Sequence, residues 1–145
     1  MTVAQNIVLA DAATTPVNHT FVPMGPDRSG SFWFVDRSRE NAIGYWRISV
    51  KIALAGTPRP GQSSKDRVSR VTVSLHEPEL ETLSNGSASG IAPAPQVAYI
   101  NRANHEFILP ERGGKRGRQD LRKMSAQLLA DATIVDVIEN LSYLQ

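Results

Sequence analysis

Cysteine is absent from the 145 residues, which excludes disulfides and thiolate metal sites and suits a reducing compartment. Long apolar runs are absent too: nothing approaches the roughly 18 consecutive apolar residues of a membrane-spanning helix, so no membrane partner is expected. The opening MTVAQNIVLADAA has no basic leader ahead of its short apolar stretch, and no signal peptide is expected. Without a secretion signal, the formal glycosylation triplet Asn85-Gly86-Ser87 carries no weight. Histidine is scarce, and His19, His76 and His105 show no metal-ligand spacing such as H-E-x-x-H. No metal and no other cofactor are therefore expected. His76-Glu77 and His105-Glu106 bring an imidazole next to a carboxylate in sequence, the pairing a small ribonuclease would use for acid–base chemistry. Neighbours on a strand point to opposite faces, so neither pair is placed to cooperate and no catalytic residue is assigned. GGKRG (Gly113–Gly117) lacks the spacing of a phosphate-binding loop.

What is present is alternation. In YWRISVKIAL (Tyr45–Leu54), Trp46, Ile48, Val50, Ile52 and Leu54 alternate with Arg47, Ser49, Lys51 and Ala53. RVSRVTVSLHE (Arg67–Glu77) repeats the design, with Val71, Val73 and Leu75 on one side and Arg70, Thr72, Ser74 and His76 on the other. Period-two patterning predicts strands with one buried face. Further strands are expected at Asn6–Ala13, His19–Met24, Ser31–Arg37 and Val97–Leu109, separated by turn-forming TTPVN, GPDRSG and GTPRPGQSSKD. In the last strand Tyr99 and Asn101 share parity with Phe107 and Leu109, and a bulge near Asn104 would separate the two sets. Glu79–Gln96 is rich in Ser, Gly, Ala and Pro and is expected to be a mobile loop.

From Gln119 the period becomes helical. Leu121, Met124, Leu128 and Leu129 make one stripe, and Ile134, Val137, Ile138, Leu141 and Leu144 a second. Thr133 with Asp136 fits a capping box and predicts a break between two helices near residues 131–133. The expected fold is α+β: an N-terminal hairpin over 6–24, an antiparallel sheet over 31–109 and two helices over 119–144, in a single domain. Two helices of about three turns each are a thin cover for such a sheet, so an obligate homodimer is expected. The cations Arg112, Lys115, Arg116, Arg118, Arg122 and Lys123 cluster before and within the first helix. They suit either a polyanion or a solvated loop, and the solvated loop is the simpler account.

The polar sheet face is the remaining chemistry. Arg47, Ser49 and Lys51 would stand beside Arg70, Thr72 and Ser74, with Tyr99 and Asn101 from the last strand. Cations for phosphates, a ring for stacking and hydroxyls or an amide for base edges are what single-stranded RNA requires. An ordinary solvated face of an antiparallel sheet accounts for the same pattern.

Three strings, in order and spacing, resemble the coat proteins of single-stranded RNA bacteriophages, the leviviruses. RVTVSLHEP is similar to that family's central strand, where a threonine lines an adenine pocket; the position falls on Thr72, between Arg70 and Ser74. AYIN is similar to a pattern whose tyrosine stacks on a base and whose Asn or Asp contacts the RNA hairpin; these are Tyr99 and Asn101. LLADATIVDVIENL resembles the join between the two C-terminal helices. The likeness covers nearly the whole chain. It implies a hairpin, a five-stranded sheet and helices that cross onto a partner's sheet, with the loop between the last two strands changing shape with symmetry position. It implies dimers closing into an icosahedral capsid around genomic RNA, with an RNA hairpin at the replicase start bound on the inner face to repress translation. The location implied is the virion, assembled in the bacterial cytoplasm. One departure stands out: family members often carry a threonine on the strand before the pocket, where this chain offers Arg47, Ser49 and Lys51. A cellular dimeric RNA-binding regulator is the alternative outside the capsid class.

Overall fold

Pairing of neighbouring strands sets the architecture. In a computed structural model that describes residues 2–82, 90 and 93–144, six strands form one sheet in sequence order: β1 (Ile7–Ala10), β2 (Asn18–Pro26), β3 (Ser31–Asp36), β4 (Trp46–Ala53), β5 (Val68–Leu80) and β6 (Val97–Pro110). The ladders from β1 to β5 are antiparallel. The expected class stands, but the hairpin strands continue the ladder, giving six strands in place of a hairpin plus five. Two helices follow, α1 (Lys115–Leu129) and α2 (Ala132–Asn140). The chain divides into two compact units, one running up to Leu54 and from Arg70 to Ile108, the other comprising Ala55–Ser69 and the chain from Leu109 onward.

In the first unit, the turns are built by carboxylates. Asp11 accepts the amides of Ala13 and Val17 through Oδ1 and so closes the β1–β2 turn. Asp27 does the same between β2 and β3. Its Oδ1 accepts the amides of Ser29 and Ser31 at 2.8 and 2.9 Å, and Gly30 takes the positive φ of 81° that lets the chain reverse. A bulge interrupts β2 between Pro23 and Gly25, where proline cannot donate to the ladder. From the Glu81–Gln96 bond to the Arg67–Glu111 bond the chain advances 14 residues along β5 and 15 along β6, one extra residue of the kind the expected bulge supplies.

Phe21, Phe34 and Ile48 form the buried core of this unit, flanked by Ile7, Phe32, Trp46, Val50, Val73 and Leu75. A polar seam crosses the same face. Asp36 is 5% exposed, and a buried carboxylate needs partners. It accepts His19 Nδ1–H at 2.7 Å, and the amide and hydroxyl of Ser38 at 2.9 Å each. Burial opposes ionisation of Asp36, but the His19 and Ser38 bonds outweigh it and hold the carboxyl below its ordinary value. The His19 ring stacks on Trp46 with centroids 4.6 Å apart. Arg39 lies over Trp46 at 4.9 Å and grips Glu79 with two bonds of 2.8 and 3.0 Å.

In the second unit, Arg67 pairs with Glu111 and donates to the carbonyl of Gly56, while the Glu111 amide returns to the Arg67 carbonyl at 2.8 Å. Helix α1 starts at Lys115, four residues before the expected Gln119, because lysine and arginine are good helix formers and Arg116 bonds Asp120 one turn on. The expected Thr133 capping box is replaced by Asp131, whose carboxylate accepts the Thr133 amide at 2.9 Å. Leu141 closes α2 with φ 53°, so Leu141 and Leu144 of the expected second stripe lie beyond the helix. Neither helix holds a buried residue, and neither is long and apolar enough to cross a membrane. The expected loop Glu79–Gln96 begins later than expected, since β5 runs to Leu80 and Glu81 N–H bonds the Gln96 carbonyl. Its centre, with the Asn85 triplet, lies outside the described residues.

Phe21 is 1% exposed at the centre of the core. Phe21→Ala is expected to cost about 3–5 kcal/mol, seen as a lower denaturant midpoint or loss of soluble protein.

Candidate nucleic-acid interface

Register decides which side chains share a surface, because residues directly opposite in an antiparallel pair point the same way. Between β4 and β5 the partners are Arg47 with His76, Ser49 with Ser74, Lys51 with Thr72, and Ala53 with Arg70. Between β3 and β4 they are Val35 with Arg47, Trp33 with Ser49, and Ser31 with Lys51. Six of the eight residues predicted from sequence, Arg47, Ser49, Lys51, Arg70, Thr72 and Ser74, therefore stand on one face. The core residues Ile48, Val50, Val73 and Leu75 occupy the other. Arg47, Lys51 and Arg70 are exposed, whereas Ser49 and Thr72 are half-buried and Ser74 is buried. Long cations thus rim a floor of hydroxyls.

Tyr99 and Asn101 come from β6. Arg70 donates to Glu106 at 3.1 Å, and Ile100 shares a shallow depression with Trp33, Arg47 and His76. Counted from the Glu81–Gln96 bond, Tyr99 stands opposite Pro78 and Asn101 opposite His76; counted from the Arg67–Glu111 bond, the step falls one residue later. β6 thus runs along the cationic strands, and the side of Tyr99 and Asn101 depends on where its extra residue falls.

Sequence reasoning missed Trp33 and Tyr45. Trp33 donates its indole N–H to Asp27 Oδ2 at 2.8 Å, and its ring lies 5.6 Å from that of His76. The indole bond and the Ser29 hydroxyl, with the amides of Ser31 and Ser29, hold the Asp27 carboxyl far below the usual range. His76 titrates below its ordinary 6.5, chiefly through desolvation, then through the positive charges of Arg102 and Arg47. Its imidazole is neutral at neutral pH and offers a ring and one acceptor nitrogen. His76 and Glu77 occupy opposite faces, as do His105 and Glu106, and Glu106 is engaged by Arg70. The sequence-adjacent pairs are thus split by the sheet.

The levivirus coat protein family model matches residues 2–144. Among solved structures, the chain is similar to the virus-like particle of bacteriophage ESE058, at 42% identity and TM-score 0.89, covering 99% of this chain and 100% of that one. It is similar to the virus-like particle of bacteriophage NT-214, at 25% identity and TM-score 0.80, covering 98% of each. It shares its fold with the bacteriophage GA protein capsid, at 19% identity and TM-score 0.69, covering 97% and 96%. No curated protein matches the chain.

The depressed His76 has a pH consequence. Unfolded His76 takes its proton near 6.5, and folded His76 takes it at lower pH. Within that window the unfolded state holds more protons, so stability is full above 6.5 and declines as pH falls toward the folded value. His76→Gln is expected to flatten this slope, checked by denaturant midpoints between about pH 5 and 7.5.

Proposed function

The chain belongs to the levivirus coat protein family, and on that premise we propose that its copies pair as dimers, close into the shell and hold single-stranded RNA on the β3–β6 cationic face. It is a structural capsid protein located in the virion, built into a shell of many coat subunits. The observation that carries the RNA assignment is the register that sets Arg47, Lys51 and Arg70 around Ser49, Thr72 and Ser74. Tyr99 and Asn101 of β6 complete the set, a ring for a base and an amide for a base edge. Cations there neutralise phosphates, hydroxyls and the Asn101 amide bond base edges, and guanidinium planes stack on bases. The same face is the one offered to an RNA hairpin, with repression of translation as its consequence.

Exposure supports the dimer. Among the described residues only Phe21, Phe34, Val35 and Ile48 are buried hydrophobics, while Met124 is 67%, Leu128 58% and Ile138 57% exposed. A lone chain leaves both helical stripes in water, a much larger apolar patch than stable monomers carry. On the core face of the sheet, a hollow of about 330 Å³ lined by Leu9, Phe21, Trp46 and Leu75 is similarly open. Helices from a second copy cover such a face, and association then supplies the stability one copy lacks. The outer edge of β6 has no neighbour among the described residues. An unpaired edge is a template for another strand, and pairing it with β6 of a second copy gives one continuous sheet.

Electron microscopy of the expressed protein, with sequencing of nucleic acid that copurifies, tests the whole reading. Closed particles containing RNA are expected; dimers without particles point to the cellular regulator. Leu128→Asp, which places a charge on the apolar stripe, is expected to leave neither particles nor dimers in sedimentation.

The RNA face is tested by titration. Lys51→Ala and Arg102→Ala are each expected to lower RNA affinity and to reduce the salt slope by roughly one. Tyr99→Ala is expected to cost on the order of 1–3 kcal/mol of RNA affinity, the worth of a stacked base. Unchanged affinity in both Lys51→Ala and Tyr99→Ala would remove the proposed surface.

A further inference from the structure

The chain has few aromatic rings, 6% of its residues, and where they lie is informative. Phe21 and Phe34 are buried in the core, and Phe32 and Trp46 pack against it. Trp33 is on the other side, on the surface of cations and hydroxyls, where a core has no use for it. It lines two depressions. One, of about 140 Å³, is walled by Trp33, Tyr45, Arg47, His76, Pro78 and Ile100. The other is shared with Met24, Gly25 and Arg47, and a methyl group added at Gly25 would meet nothing within 4 Å. Arg47 borders both hollows.

We propose that the Trp33–Tyr45–His76 depression is a stacking pocket for one unpaired base of single-stranded RNA, with Arg47 on the adjoining phosphate. The proposal deepens the reading of this face as RNA-binding and rests on it. Three observations carry it. The ring of Trp33 is fixed before any ligand arrives, because its N–H is bonded to Asp27, and Asp27 is itself fixed by the amides of Ser29 and Ser31. A preset ring loses little entropy on binding. Second, Trp33 and His76 meet at an interplanar angle of 48°, forming an angled wall and not a closed stack, so a planar guest has ring surface to lie against. Third, a guanidinium stands at the rim: Arg47 is exposed, tethered among the described residues by a single 3.4 Å bond to the Ala42 carbonyl, and able to turn to a phosphate. Stacking on rings is tolerant of base identity, which suits a shell that must hold a whole genome.

The pocket also couples to pH. Phosphate beside Arg47 and Arg102 offsets the positive charges that disfavour protonation of His76, so bound RNA favours the imidazolium. Affinity is then expected to rise as pH falls below 6.5, and His76→Gln to abolish that rise.

The test uses the purified full-length protein and two labelled probes: a short oligoadenylate, and an abasic ribose-phosphate strand of equal length. Binding is read by fluorescence anisotropy. Wild-type protein is expected to prefer the base-bearing strand by roughly 5- to 150-fold, the range of one stacked base. Trp33→Leu removes the preference and keeps abasic binding; Trp33→Phe, which keeps a ring, retains part of it. His76→Ala leaves the Asp27 bond untouched and also lowers the preference, which decides the matter should Trp33→Leu not fold. Equal binding of both strands by wild type, or an undiminished preference in Trp33→Leu and His76→Ala, overturns the pocket and leaves the cationic face standing. Parallel loss of both strands in the Trp33 variants makes Trp33 a strut for the Asp27 turn and also overturns it. Wild type binding neither strand overturns the RNA face itself.

Discussion

A pleated strand sends neighbouring side chains to opposite sides, and β4 spends that constraint fully. Ile48 is buried beneath the sheet while Arg47 and Ser49 stand above it. The β3–β4 and β4–β5 registers carry the division across three strands without a slip. A slip of one residue in either ladder would bury a guanidinium against Phe34 and put Ile48 among the cations, at a cost of several kcal/mol for the unpaired charge. Function and stability therefore constrain the same backbone hydrogen bonds. The cationic face exists because the other face needs to be apolar.

That other face also explains why a capsid protein is a poor monomer. Its own hairpin covers part of the sheet, through Phe21 and Ile7, and pins itself with the buried Asp36–His19 bond. The rest stays open, as do the stripes of both helices. Such a chain gains its missing burial from other copies, so that folding and assembly draw on one hydrophobic term. The cations at the start of α1 fit less comfortably. Lys115, Arg116 and Arg118 sit in its first turn with no acidic residue and no side-chain cap, where the helix dipole disfavours positive charge. Arg118 relieves part of this by donating back to the Gly113 carbonyl, and Arg116 by bonding Asp120 one turn on.

Much of the fold was legible from pattern. All six strands were anticipated within a few residues, because alternation and turn chemistry are local signals. The helices were anticipated too, though the start of α1 was placed late, since Gly117 and the run of cations read as a turn. What pattern left open was of another kind. Within β6 alternation alone does not say which side chains join the cationic face. Glu106 joins it by meeting Arg70, a contact between distant parts of the chain. Trp33 was hidden for a related reason: SFWFVD is apolar on both faces, so nothing local marks one ring as exposed.

By itself, then, the sequence determined the elements, their order, the lack of any thiol chemistry and the existence of one cationic face. These follow from composition and from short-range periodicity, which depend only on backbone geometry within a strand or helix. Tertiary structure alone decided which residues of different strands share that face, which aromatic ring is left on it, and which carboxylate holds the ring in place. Those are matters of register, and register is settled by side chains that meet across the sheet.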